Sequence, residues 1–385
     1  MRVIGLMSGT SADGIDAALV EWPAGPEARP FRLLGYRETP IPPALQAEIH
    51  ALAAGERPGQ TFLRDLLNLD RLLGEQFAEA ARGVAGEVGI GIDQVDAISS
   101  HGQTIAHHPE VGGSLQIGSP AVIAERTKRP VVADFRPGDL AAGGEGAPLA
   151  PFFHHAVLAK PSETRVILNL GGMANLTFLP RGGQPEEVLA FDVGPANSLI
   201  DGLVAELTAG KERMDRDGRR ASRGQVDRDF LKGLLADEYF DRSPPKSTGR
   251  ERYGPQKVLD ILSDWQQRGA GSEDDLVATI SALTVESVVR ACLELIPRAQ
   301  ANAPRMERLI VGGGGGLNFV LMDGLRQALP GVVVDSMDEH GVPAGAAEAM
   351  AFSLMGRNAL RGEINHLPLC TGARAPRVLG VRVGG

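Results

Sequence analysis

A strand–glycine turn–strand unit occurs twice in this chain, and that duplication constrains its fold more than any other feature. In the first copy Val3-Ile4-Gly5-Leu6-Met7 is a short apolar run that suits a buried strand. Ser8-Gly9-Thr10-Ser11-Ala12-Asp13-Gly14 is turn chemistry throughout, and residues 15–20 return as a second strand. In the second copy residues 166–170 run into Gly171-Gly172-Met173-Ala174-Asn175, and residues 176–179 return. The two turns begin 162 positions apart (171 − 9) in 385 residues, so each heads about half of the chain. That length exceeds what one core usually serves. A duplicated fold with one hairpin per half is expected.

The rest of the chain alternates helical and strand signals. Residues 43–84 read as largely helical, and 95–100 as a strand ending in His101-Gly102-Gln103-Thr104. Residues 120–127 read as a short helix and 130–135 as a strand. The glycine-rich stretch 141–148 suggests a nearby domain boundary. The expected division is 1–137 plus 346–385 for one domain and 138–345 for the other. Residues 199–209 read as a helix, 211–229 as a charge-dense loop and 241–253 as a long loop containing Pro and Arg. Loops of that length are usually lids or binding loops. A helix over 274–294, a strand over 309–311, the run Gly312 to Gly316, a helix over 318–329 and a last helix over 344–360 complete the pattern.

Composition narrows the function classes. A net charge of −9 argues against a general nucleic-acid binder, which needs a basic face to displace counterions from phosphates. Cys292 and Cys370 are the only cysteines, and neither can join a CxxC site, so they read as buried fillers and not as a disulfide framework or zinc site. No stretch reads as the roughly 20 apolar residues of a membrane span, and the apolar start is broken at Ser8. A cytoplasmic protein without a membrane partner is expected, and a homodimer is compatible with this reading.

Four places could carry chemistry. Turn glycines between strands leave backbone N–H groups that make a nest for anionic oxygens, so Gly9, Thr10, Ser11, Ala12, Asp13, Gly14, Ile15 and Asp16 read as a phosphate grip. Asp13 and Asp16 could hold magnesium through water. An ordinary hairpin is the alternative, and the second copy argues for the grip. At Ala190 to Asn197, a strand delivers Asp192 into a Gly-Pro turn, where a carboxylate could serve as a general base or only close the turn. Gly312, Gly313 and Gly314 follow a strand but break the dinucleotide fingerprint, because Leu317 occupies its third glycine position. Such a run could let an adenosine lie flat against the backbone. His101, Gln103 and Arg136 lie at strand ends, where ligands bind in α/β sheets, and an arginine there suits a carboxylate. A satisfied structural histidine is the alternative for His101. His107, His108, His154 and His155 lack a carboxylate at ligand spacing and receive no role.

Taken together, VIGLMSGTSADGIDAALVEW, SSHGQTIAHHP, LQIGSPAVIAERT, VVADFRPGDLAAGGEGAPLAPFFH, ILNLGGMANLT, FDVGPANSLID, PPKSTGRERYG and EAMAF resemble successive segments of the anhydro-N-acetylmuramic acid kinases. The resemblance covers essentially the whole chain in order. It implies two actin-like (ribonuclease H-like) α/β domains, mixed sheets flanked by helices, and a nucleotide cleft between them. It also implies ATP and Mg2+ as cofactors and a small sugar as substrate. The implied reaction opens the 1,6-anhydro ring with water and phosphorylates the released O6, in cell-wall recycling. Residue by residue, Gly9 to Asp16 would bind the ATP phosphates, with Asn169, Gly171 and Gly172 as the second hairpin and Gly312 to Gly314 on the adenosine side. Asp192 would be the general base. Arg136 would meet the lactyl carboxylate, with His101, Gln103 and Glu348 as further substrate contacts; the residues binding the metal are not indicated.

The chain departs from the family at three places. Val193 stands where a threonine usually follows the aspartate, removing a hydroxyl expected beside it. Glu145 replaces a glutamine, and residues 341–345 are less acidic than usual. Three other classes compete. A nicotinamide oxidoreductase is disfavoured by the broken fingerprint, and a sugar-sensing regulator by a hairpin that starts at residue 2. A polymerising or chaperone-type ATPase would hydrolyse ATP without sugar.

Overall fold

The two hairpins seen in the sequence are the first ribbons of two separate sheets. A computed structural model describes residues 1–56, 59–269 and 271–384. In it the chain forms two units, Met1–Leu158 with Ala346–Gly385, and Ala159–Gly345. The first crossing was expected after residue 137. It falls later because Leu149 and Phe152 pack with Val132, Phe135, Phe352 and Met355, an apolar cluster of the first unit. The glycine-rich stretch at 141–148 is therefore a loop inside one unit.

The first unit holds β1 (Arg2–Ser8), β2 (Gly14–Glu21), β3 (Arg32–Pro40), β4 (Ala97–His108), β5 (Gly113–Ile117) and β6 (Val131–Ala133). The second holds β7 (Arg165–Leu170), β8 (Met173–Leu179), β9 (Leu189–Pro195), β10 (Arg308–Gly312) and β11 (Val333–Ser336). The chain then returns to the first unit, where β12 (Val381–Val383) pairs with β6. The strand orders are β12-β6-β4-β1-β2-β3 and β11-β10-β7-β8-β9, with β5 paired to β4. Each unit begins with an antiparallel meander, β1-β2-β3 or β7-β8-β9. Each then adds parallel strands on the other side of its first strand, β4 and β6 or β10 and β11. This is the duplication expected from the hairpins, and the mixed, helix-flanked sheets are those of the expected α/β class.

Helices cover the sheets because β1 and β7 are apolar on both faces, as strands inside a layered sheet must be. On the first sheet the Ala347–Arg361 helix crosses so closely that a Cβ on Gly5 would meet the Ala349 carbonyl oxygen at 1.8 Å. Ser353 of that helix donates to the Val3 carbonyl at 2.9 Å. This contact fixes the helix's first turn, and Glu348 with it, relative to β1. In the second unit Glu273–Ala299 is long and apolar enough to span a membrane, which the sequence reading had not found. Its apolar window is 72% buried within the protein. Leu276, Ile280, Leu283 and Val288 instead fill the core of that unit.

Candidate active site

In the first unit the residues expected to grip phosphate are held from behind by buried side chains. Gln103, 1% exposed on β4, donates from Nε2 to the Gly9 carbonyl at 3.1 Å. Its Oε1 lies 2.7 Å from the Ser8 hydroxyl, which is also 2.9 Å from the Gly14 carbonyl oxygen. Gln46 Nε2 donates to the Ser11 carbonyl at 2.8 Å, and His50 Nε2 lies 3.0 Å from the same oxygen. The turn's carbonyls are thus occupied on the protein side. Ala12 N–H closes the turn onto the Gly9 carbonyl at 3.1 Å, and Ala12 itself takes the left-handed conformation with φ of 49°. Gly9 does not have a positive φ, and a Cβ placed there would meet nothing closer than Ser11 Oγ at 3.9 Å. Thr10 and Asp13 are exposed, and the Ser11 hydroxyl donates to Asp13 Oδ1 at 2.7 Å.

Asp16 sits at the foot of the same hairpin, accepting from the Tyr36 hydroxyl at 2.6 Å. Burial raises its pKa, the Tyr36 hydrogen bond opposes the rise, and Glu38 and Asp13 add to it. Glu348 is crowded by protein atoms although its surface stays open to solvent. That crowding raises its pKa, with Asp16 adding and Arg136 opposing. Arg136 donates from Nη1 to the Gly146 carbonyl at 2.8 Å. Its Nε and Nη2 approach His101 Nε2 at 3.1 and 2.9 Å.

His101 is 4% exposed, and its Nδ1 lies 2.9 Å from the Gly102 carbonyl, so Nδ1 carries the hydrogen and Nε2 accepts. Burial, with Arg136 beside it, pushes its pKa down to about 3. His101 is therefore a neutral acceptor that aims Arg136. The structure separates the expected substrate contacts accordingly. Glu348 and Arg136 lie near each other and near Asp16 of the phosphate hairpin, while His101 stands behind Arg136 and Gln103 behind the hairpin, because burial directs both side chains to protein partners.

In the second unit the glycine loop packs directly on the second hairpin. Gly312 is in register with Asn169. Gly313 has φ of +77°, and a Cβ there would meet Asn169 Oδ1 at 2.4 Å and the Leu170 carbonyl at 2.7 Å. The turn at Gly171 and Gly172 is tied to the helix that follows β9. The Gly171 carbonyl accepts from Asn197 N–H at 3.1 Å, and the Gly172 carbonyl accepts from Ala196 and Ser198 N–H, each at 3.0 Å. The three regions expected to meet nucleotide here, Asn169, the Gly171–Gly172 turn and Gly312 to Gly314, are one contiguous patch.

Asp192 lies on β9, opposite Asn175 of the hairpin. The loop after residue 241 folds over it. Thr248 N–H donates to Asp192 Oδ2 at 3.0 Å, and Asp192 N–H donates to the Lys246 carbonyl at 3.1 Å. The Tyr239 hydroxyl donates to the Asp192 carbonyl oxygen at 2.8 Å. Burial raises the Asp192 pKa; the Thr248 N–H and Lys246 oppose the rise, and Glu251 adds to it. Lys246 is itself buried, donating to the Tyr239 carbonyl at 3.0 Å with its ammonium 4.4 Å from that ring's centre. Burial pushes its pKa down to about 8, with Arg242 and Arg290 adding and Asp241 and Asp192 opposing. Sequence reasoning assigned no role to Tyr239, Lys246 or Thr248. For Lys246 and Thr248 the signal was available in PPKSTGRERYG, a loop long enough to cover a site; Tyr239 lies ahead of that segment. Val193 resolves differently from expectation. Neighbours on a strand face opposite ways, and Val193 is 1% exposed in the apolar core, so the missing hydroxyl would not stand beside the carboxylate.

A duplicated α/β scaffold with a glycine hairpin in each unit and a buried carboxylate beside the second fits a phosphotransferase, and similarity to known proteins decides the class. The anhydro-N-acetylmuramic acid kinase profile matches residues 1–384. The chain is 41% identical to the anhydro-N-acetylmuramic acid kinase of Caldanaerobacter subterraneus subsp. tengcongensis over 98% of this chain and 96% of that one. It is 43% identical to that of Acidithiobacillus ferrooxidans over 99% and 91%. This chain belongs to the anhydro-N-acetylmuramic acid kinase family. A solved ROK family glucokinase from Streptomyces griseus overlays with a TM-score of 0.41 at 12% identity, over 93% of this chain and 100% of that one. The fold assignment rests on the strand order instead.

Proposed function

We propose that this kinase opens the 1,6-anhydro ring of 1,6-anhydro-N-acetylmuramic acid with water and transfers the γ-phosphate of ATP to the released O6. The products are N-acetylmuramic acid 6-phosphate and ADP, and the step belongs to cytoplasmic recycling of peptidoglycan. The observation that carries the reading is the state of Asp192. One carboxylate oxygen is held by Thr248 N–H at 3.0 Å, the other has no hydrogen bond among the described residues, and burial raises the pKa. That is a fixed base with one free oxygen for water.

In the proposed sequence water attacks the anomeric carbon and gives its proton to Asp192. The C1–O6 bond breaks, and O6 takes that electron pair to the γ-phosphorus. The bond between γ-phosphorus and its bridging oxygen breaks, and ADP leaves. Arg136 keeps one N–H on each of Nη1 and Nη2 beyond those given to His101 and Gly146, a fork suited to the lactyl carboxylate. The hairpins at Gly9 to Asp16 and at Asn169 to Gly172 are assigned to the phosphates, and Gly312 to Gly314 to adenosine. Glycines at 9, 171 and 172 have no positive φ and no crowding that excludes a Cβ, which supports ligand approach as their reason.

Among the described residues no three His, Cys, Asp or Glu side chains are grouped to hold a metal ion. Magnesium demands less, since it keeps several waters and binds through one or two carboxylates plus phosphate oxygens. Asp16 and Glu348 fit that role, and the ion would supply charge neutralisation at the phosphates.

The test is the dependence of ADP release on the anhydro sugar. ADP release that needs the sugar, with one phosphate added per ADP, is expected. Equal ADP release without sugar would replace this reading with that of an actin-like or chaperone-type ATPase.

A further inference from the structure

Arg136 is aimed by a loop, and the loop is held by the end of the chain. The Gly146 carbonyl that accepts from Arg136 belongs to a residue whose N–H is anchored: Gly146 N–H donates to Asp139 Oδ2 at 2.8 Å. Asp139 is fully buried on the same short helix as Arg136, Phe135–Ala141. Its other oxygen, Oδ1, accepts from the Thr371 hydroxyl at 2.6 Å and lies 2.8 Å from His366 Nδ1. His366 Nε2 accepts from Arg377 N–H at 2.9 Å, which leaves the ring hydrogen on Nδ1, close to Asp139 as an ion-pair neighbour but outside hydrogen-bond geometry. Burial alone would raise the Asp139 pKa, but His366, Thr371 and Gly146 together hold it below the ordinary value.

The C-terminal segment also ties the loop through backbone. Glu145 N–H donates to the Thr371 carbonyl at 2.7 Å, and Arg374 N–H to the Ala142 carbonyl at 3.0 Å. Asn365, fully buried, donates to the Met355 and Leu379 carbonyls at 2.9 and 2.8 Å and so fixes the segment's start and end. The Glu145 side chain is exposed, so the tie at that position is its N–H, which a glutamine would supply equally.

We infer that Asp139, His366 and Thr371 are positioning residues: through Gly146, held at its N–H, they set the guanidinium of Arg136 for the substrate's carboxylate. The chain end thereby acts on substrate selection and not on the phosphoryl-transfer step. The inference rests on the reading of Arg136 as the carboxylate contact, and its test separates the two.

The measurement compares KM and kcat for 1,6-anhydro-N-acetylmuramic acid and for 1,6-anhydro-N-acetylglucosamine, which lacks the lactyl carboxylate. Asp139→Asn and Thr371→Val keep the shape of the buried side chains and remove the hydrogen-bonding match. Each is expected to raise KM for the carboxylate sugar by about tenfold with kcat within about threefold, and to leave KM for the analogue near wild type. Thr371→Ser is expected to restore the wild-type values. Equal changes for both sugars, or none, would overturn the inference, and loss of folding in Asp139→Asn leaves the Thr371 pair to decide. Arg136→Gln reads the underlying assignment. If it removes the preference for the carboxylate sugar while the other variants do not, the inference alone fails. If it leaves the preference intact, the assignment of Arg136 fails and the inference falls with it.

Discussion

The two glycine hairpins occupy equivalent positions at the head of equivalent sheets, yet they are braced in different ways. The first turn is long and is held by side chains from elsewhere: Gln103 on β4, and Gln46 and His50 on the Pro43–Ala53 helix. The second is short and is held by the backbone N–H groups at 196–198, with the glycine loop after β10 packed onto it. Asp192 stands beside the second. A side-chain brace can be removed one atom at a time, whereas a backbone brace can be broken only by adding bulk or removing an N–H. The two halves share one topology, and under the proposed function they divide the labour: the first unit would supply carboxylates and an arginine around one phosphate hairpin, and the second a hairpin with the base.

The largest expected effect falls on the base. Asp192→Asn should lower kcat by about 10²–10⁴-fold while ATP affinity stays within about twofold, since the hairpins remain; turnover and nucleotide titration check this together. Next is the backbone brace. Gly313→Ala forces a Cβ against Asn169 Oδ1 and the Leu170 carbonyl at a left-handed φ. A loss of about 1–3 kcal/mol in denaturant unfolding is expected, with a raised KM for ATP.

The side-chain brace should be milder. Gln103→Leu leaves the Ser8 hydroxyl and the Gly9 carbonyl without that partner and should cost about 0.5–1.5 kcal/mol, with KM for ATP raised and KM for sugar unchanged. Gly9→Ala sharpens the contrast. It should leave stability within about 0.5 kcal/mol, because nothing crowds the site, while still weakening ATP binding. The smallest effect is on the pH profile. The base works deprotonated, so kcat/KM should fall as pH drops through the Asp192 pKa, and that limb should lie above the ordinary aspartate value of 3.8 because burial raises it.

Much of this was legible in the sequence, for physical reasons. The duplication could be read because each hairpin pairs strands adjacent in sequence, so apolar runs and turn residues sit side by side in the chain. Asp192 could be located but not assigned from spacing, since its distinguishing contacts come from Tyr239, Lys246 and Thr248, a loop more than forty residues away (239 − 192 = 47). The domain boundary was displaced because residues 138–158 carry no strand and their allegiance is decided by packing on Phe352 and Met355. In the first turn neither Gly9 nor Gly14 takes a left-handed angle. Ala12 takes that angle instead, and no local pattern shows it. His101 and Gln103 read as ligand contacts because the sequence pattern ends a strand there, whereas β4 runs on to His108 and burial turns both side chains to protein.

The most direct test of the central claim is mass spectrometry of the sugar product formed in ¹⁸O-labelled water. The account predicts one added phosphate on O6 and one ¹⁸O atom at the anomeric hydroxyl. A phosphorylated product without label at the anomeric carbon would contradict a water attack directed by Asp192.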